Sequence, residues 1–210
     1  MPATETIMLF MAAALALNVT PGPSIAYVMS RSFGQGRTAG LVSAVGLGTG
    51  SLLHAIGATL GLSAVVAYSP MAYAVIKYLG AAYLVYLGVG LLRQRTVRVA
   101  DAVLPRLSLS RVYCQGVLTE ILNPKIALFF LSFLPQFVDP ARGSVAGQTL
   151  FFGLLFHVTG VPINMLVAIA GSAIAASFSR NPLLERLRNW LSGTVLIGLG
   201  VRLDHMEGPA

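Results

Sequence analysis

The chain has 210 residues, 56% of them hydrophobic and 10% charged, where a soluble domain carries roughly 25% charged residues, so it reads as an integral membrane protein. The net charge of +7 does not mark a nucleic-acid binder, because the arginines fall between apolar segments, where they set topology and meet anionic lipid. A single cysteine, Cys114, excludes an internal disulfide framework and a multi-cysteine metal centre.

The first span runs from about Thr6 to Ser30. Its only early charge is Glu5, so the basic leader of a cleaved signal peptide is missing and the segment is expected to stay in the membrane. Asn18-Val19-Thr20-Pro21-Gly22-Pro23-Ser24 interrupts it near the centre. Two prolines around a glycine cannot sit in an undisturbed helix. Thr20 as N-cap and Pro21 as first helical residue would start a new half-helix, with Ser24 in its first turn. A short loop with Arg31, the turn-prone Gly34-Gln35-Gly36 and Arg37 leads onward.

The second span, about Ala39 to Val66, is rich in small residues. Gly46/Gly50 and Gly57/Gly61 have the four-residue spacing that lets helix backbones approach closely. His54 is its polar exception, either a pathway residue or one bonded to a neighbouring helix. A third span, about Met71 to Leu92, follows Ser69-Pro70, with Lys77 able to snorkel near its start. Residues Arg93 to Arg111 carry five arginines against one Asp101 and read as a cytoplasmic linker between two halves, 1–92 and 112–210.

The fourth span, about Val112 to Val138, holds Glu120, Asn123, Pro124 and Lys125 within six residues at its middle. Alone, Pro124 would read as a structural kink and Lys125 as a snorkelling side chain. An ionised group near the bilayer centre costs ~2.5–3.5 kcal/mol on insertion scales, so two of them beside a helix break point to a water-filled pathway. Asn123 suits an N-cap and Pro124 the first helical position, which gives one half-helix ending near Leu122 and a second starting at Asn123. On a continuous helix Glu120 and Lys125 would lie about 140° apart, and a break removes that restriction.

The fifth span, within Gly147 to Ser177, contains His157, Pro162 and Asn164. Pro162 implies a kink, with Asn164 placed to satisfy a freed group. The sixth, about Leu187 to Leu203, has an uncharged core of only 13 residues from Asn189 to Val201.

With six spans, the odd-numbered loops hold ten basic residues: Arg31, Arg37, Arg93, Arg95, Arg98, Arg106, Arg111, Arg180, Arg186 and Arg188. The other side holds three, Lys77, Arg142 and Arg202. The positive-inside rule then puts both termini outside. Spans one and four, each broken by proline, stand three spans apart. The expected fold is therefore an all-α membrane protein of six transmembrane helices, arranged as two inverted three-helix repeats with helices 1 and 4 broken.

These residues resemble the LysE/RhtB family of amino-acid exporters. The likeness rests on Pro21-Gly22-Pro23, the glycine-rich second span after Gly36-Arg37, Gly80-Ala81-Ala82-Tyr83-Leu84 with Gly88, and Asn123-Pro124-Lys125 followed by Leu134-Pro135-Gln136-Phe137. The chain departs from that pattern at Asn164, where an acidic residue is frequent. The resemblance implies a six-span inner-membrane protein exporting amino acids or close derivatives such as homoserine, threonine or homoserine lactone.

An inorganic or metal ion exporter on the same three-plus-three plan is the alternative. A metal site would want several carboxylates, histidines or thiolates converging, and the spans offer Glu120, His54 and His157. No catalytic motif such as H-E-x-x-H or G-x-S-x-G occurs, so no enzyme activity and no cofactor are expected. The candidate substrate site comprises Asn18, Pro21, Gly22, Pro23, Ser24, Glu120, Asn123, Pro124 and Lys125, with His54, His157 and Asn164 as pathway candidates. The half-helix N-termini and Lys125 would hold a substrate carboxylate, and Asn18, the freed carbonyls and Glu120 its ammonium. The expected partners are an amino acid, membrane lipid and a coupling proton, with assembly as a homodimer left open and no nucleic acid involved.

Overall fold

The computed structural model describes residues 2–68 and 106–180, with isolated positions between 71 and 89 and between 190 and 197. The expected third and sixth spans and most of the arginine-rich linker lie outside the described residues. Among the described residues every regular element is helical.

Helices α1 (Thr4–Val19) and α2 (Pro23–Gln35) form a pair bent by 46°. Helix α3 (Arg37–Tyr68) follows. Its apolar stretch Arg37–Gly61 has 25 residues, about 37 Å at the usual rise and enough for a hydrocarbon core of ~30 Å. A second bent pair, again at 46°, joins α4 (Leu109–Ile121) to the segment Pro124–Phe137. That segment is α5 (Pro124–Leu128), a π-helical turn (Phe129–Phe133) and a 3-10 turn (Leu134–Phe137). Helix α6 (Val145–Arg180) contains a second membrane-length stretch, Val145–Ala170, and runs uninterrupted through Pro162. Leu60, Val158 and Leu166 are exposed on α3 and α6, as on helices whose outer faces meet lipid.

The second break follows the sequence expectation. Asn123 is the N-cap, its side chain accepting from the Lys125 N–H at 3.1 Å, and Pro124 is the first helical residue. The first break is displaced by two residues from the expected Thr20–Pro21 start. Thr20 instead closes α1, its hydroxyl donating back to the Ala16 carbonyl at 2.6 Å. Gly22 takes the N-cap and Pro23 the first helical position, because a ring without an N–H fits either proline site and the threonine is already engaged.

Arg31 also departs from expectation. It lies inside α2, buried to 6% exposure, and not in a loop. Its guanidinium donates to Gln115 Oε1 at 2.9 Å and lies 5.6 Å from the Tyr27 ring centre. The turn comes five residues later at Gly36, whose φ of +92° suits glycine.

Helix α3 packs against both α4 and α6. At the α3–α4 contact the expected Gly46/Gly50 stripe meets Gly116: a Cβ at Gly46 would collide with the Tyr113 carbonyl, and one at Gly50 would lie 2.5 Å from Glu120 Cβ. These glycines are what bring Glu120 to the middle of the bundle. Gly57 and Gly61 meet nothing within 4 Å among the described residues.

The two ends of the bundle are held differently. Beyond the breaks on the α1 and α5 side, Phe10, Phe129, Phe130, Phe133, Phe137, Phe152 and Phe156 interlock in one buried core. Ring centroids there lie 4.6–4.7 Å apart for Phe129–Phe156, Phe10–Phe152 and Phe133–Phe137. On the α2 and α4 side the apolar core among the described residues is small, built on Val28, Ala44, Leu47 and Ala168.

Candidate substrate site

An α-helical carbonyl bonds the N–H four residues on, so Pro21 leaves the Leu17 carbonyl without its helical donor and Pro124 does the same to Glu120. Each carbonyl accepts a tighter bond from the N–H three residues on, Thr20 to Leu17 at 3.2 Å and Asn123 to Glu120 at 3.1 Å, and each also takes a basic side chain from another helix. Lys125 Nζ donates to the Leu17 and Thr20 carbonyls at 3.1 and 3.0 Å. His54 Nε2 lies 3.1 Å from the Glu120 carbonyl and so carries a proton there, while its ring stacks on Phe130 at 5.6 Å.

The side chains of the two breaks form a continuous chain. The Lys125 N–H donates to Asn123 Oδ1 at 3.1 Å, Asn123 Nδ2 to Ser24 Oγ at 2.8 Å, and Ser24 Oγ to Glu120 Oε2 at 2.5 Å. Ser24, Asn123 and Glu120 are all buried. Glu120 sits at the end of α4, where a negative charge opposes that helix's dipole, but its carboxylate reaches the first turn of α2. Lys125 sits in the first turn of α5, but its ammonium reaches the carbonyl end of α1. Each charge is unfavourable for its own helix and favourable for the helix it touches.

A small cavity of about 10 Å³ opens beside this chain, lined by Asn18, Leu47, Gly48, Ser51, Glu120, Phe156, Gly160, Val161 and Asn164. Of the site residues expected from sequence, Asn18 and Glu120 line it. Ser24, Asn123 and Lys125 stand behind Glu120 as its network, and Pro21, Gly22, Pro23 and Pro124 shape the breaks. The Gly22 backbone runs close to the ammonium, with an added Cβ 3.3 Å from Lys125 Nζ.

Among the pathway candidates, Asn164 lines the cavity. His157 reaches it through Ser51: the Ser51 hydroxyl donates to the Gly48 carbonyl at 2.8 Å and accepts from His157 Nδ1 at 2.9 Å. Asn18 Nδ2 donates to Thr159 Oγ1 at 3.2 Å, tying α1 to α6 at the cavity edge. The lining residues Leu47, Gly48, Ser51, Phe156, Gly160 and Val161 were not picked out from sequence. The available signal was the i, i+4, i+7 spacing of Leu47, Ser51 and His54 on one face of α3, with Gly48 three residues before Ser51. Among the described residues no three of His, Cys, Asp and Glu converge as a metal site would require.

The sequence matches the family model "LysE type translocator" over residues 15–207. The chain belongs to the LysE type translocator family. Its LysE relatives include an uncharacterized membrane protein of Vibrio cholerae, 31% identical over 197 residues that cover 92% of this chain and 94% of the relative. The leucine efflux protein of Salmonella choleraesuis is 23% identical over 202 residues, 94% of each chain. That of an Enterobacter strain is 24% identical over 193 residues, 90% of each. No solved structure matches. Membership of the LysE family makes this a multi-pass membrane translocator, and leucine efflux is the activity named for the Salmonella and Enterobacter relatives.

Proposed function

We propose that this LysE-family protein exports neutral, aliphatic amino acids across the bacterial inner membrane by alternating access, its six spans arranged as two inverted three-helix repeats with both termini outside. The observation that carries this reading is the position of Glu120: a buried carboxylate on the wall of a cavity that lies where two broken spans meet. Such midplane breaks are where secondary transporters bind their substrates. Glu120 takes the substrate ammonium. Asn18 and Asn164 offer amide donors to the carboxylate, with Lys125 as the nearby balancing charge. Leu47, Phe156 and Val161 supply an apolar wall for an uncharged side chain, in keeping with the leucine efflux proteins among its relatives.

The cavity's enclosed space, about 10 Å³, holds about one water, far below the 300–1,000 Å³ usual for ligand pockets, so loading requires its walls to part. Glu120 also serves as the carrier of a coupling proton, exchanging it for the substrate ammonium. The charged and titratable groups around it are Lys125 from α5, His54 from α3 and, through Ser51, His157 from α6.

The deciding experiment is uptake into inside-out vesicles of radiolabelled leucine, threonine, homoserine and lysine, with a divalent metal as the competing class. Leucine uptake that exceeds lysine uptake at least tenfold supports the reading. Metal uptake without amino-acid uptake would replace it with the ion-exporter alternative.

A further inference from the structure

Tyr27, Arg31 and Gln35 recur every four residues on α2 and so share one face. All three hold the start of α4 and the residues before it. Tyr27 Oη donates to the Val112 carbonyl at 2.8 Å and meets Gln115 Oε1 at 3.4 Å. Arg31 Nη2 donates to the same Gln115 oxygen at 2.9 Å. Gln35 grips the backbone of Leu107 on both sides, accepting its N–H at 3.0 Å and donating to its carbonyl. The other end of α2 carries Ser24, bonded to Glu120 and Asn123. One helix therefore connects the cavity wall to a polar clasp about 5–16 Å further along its axis.

We infer that this clasp is the gate on the arginine-bearing side of the bundle and that α2 is its lever, pivoting at the Thr20–Gly22 break. Among the described residues the two ends differ in what separation would require. Parting the interlocked phenylalanines exposes a large apolar area, whereas the clasp bonds can be exchanged for bonds to water at small net cost. The lever couples gate to site: a ligand ammonium on Glu120 competes with the Ser24 hydroxyl, freeing the end of α2 that holds the clasp shut.

This inference rests on the transporter reading, but its test needs no substrate. In a Cys114→Ser background, a reporter Val161→Cys on the cavity wall is labelled with a membrane-impermeant maleimide in vesicles of each orientation. Removing the shared acceptor with Gln115→Ala is expected to raise labelling from the arginine-bearing face about tenfold and leave labelling from the other face unchanged. Gln115→Glu, which turns the shared neutral acceptor into a charged one, is expected to slow labelling from that same face. Equal labelling of parent and both variants would overturn the gate, as would a rise from both faces in Gln115→Ala, which is the mark of general loosening. Side-specific labelling together with no amino-acid transport by the parent protein that keeps Val161 would leave the gate standing and remove the substrate proposal instead.

Discussion

Lys125 Nζ lies 3.1 Å from the Leu17 carbonyl oxygen, the acceptor that Pro21 deprives of a helical donor. The base on one broken span thus repairs the other. Replacing Lys125 by Met keeps the stem and removes the donor, leaving the Thr20 carbonyl without this bond and the Leu17 carbonyl with only the Thr20 N–H at 3.2 Å. At roughly 1–3 kcal/mol for each unsatisfied group, Lys125→Met is expected to lower the melting temperature in detergent by several degrees and abolish export at every pH. Export at the parental rate would show that the repair is dispensable.

The prolines give the converse test. Pro21→Ala and Pro124→Ala each restore an N–H to the carbonyl four residues back, at Leu17 and Glu120, and allow the helix to run on. Both variants are expected at near-normal levels in the membrane, with export reduced at least tenfold. Normal export from both would make the breaks simple kinks.

Glu120→Gln preserves a side-chain acceptor for Ser24 and removes the ionisable group. Some substrate binding is expected to remain, while the dependence of export on an imposed proton gradient flattens. An unchanged pH profile in proteoliposomes would take the proton off Glu120 and place coupling elsewhere.

Gly50→Ala tests the approach of α3 to α4. The added Cβ would lie 2.5 Å from Glu120 Cβ and 2.9 Å from the Val117 carbonyl, so the helices must part. Overpacking of this kind costs ~1–3 kcal/mol and is expected to lower both thermal stability and transport. Gly147→Ala meets only Ser144 side-chain atoms at 3.6 Å and is the tolerated control.

Orientation is tested by fusion reporters. A reporter after Ala210 is expected to read as periplasmic and one inserted near Asp101 as cytoplasmic, since the basic residues divide ten to three between the two sides. A cytoplasmic reading after Ala210 would mean an odd number of crossings.

Much of this was legible in the sequence where a signal is local. Asn123-Pro124 names both the cap and the first residue of its half-helix, and the Gly46/Gly50 spacing announced a close helix contact. Thr20 was ambiguous because its hydroxyl can cap forward or bond backward, and the backward bond to Ala16 moved the break. Arg31 read as a loop residue because a lone arginine after an apolar run marks a span end. In the fold it bonds Gln115, 84 positions away. The same holds for the reach of Lys125 to Leu17 and of Ser24 to Glu120: a partner about 100 residues distant leaves no trace in local pattern.

The π-helical turn at Phe129–Phe133 sets the phase of everything after it. Like a tooth added to a gear, its wider turn rotates the downstream segment relative to α5, and at this setting Phe133, Leu134 and Phe137 all face inward. Leu131, 58% exposed on the outer side of that turn, touches little of the core, yet excising it would turn the following residues by about 100°. Phe133 and Phe137 would then swing out of the cluster. In this part of the chain, residue count matters more than residue identity.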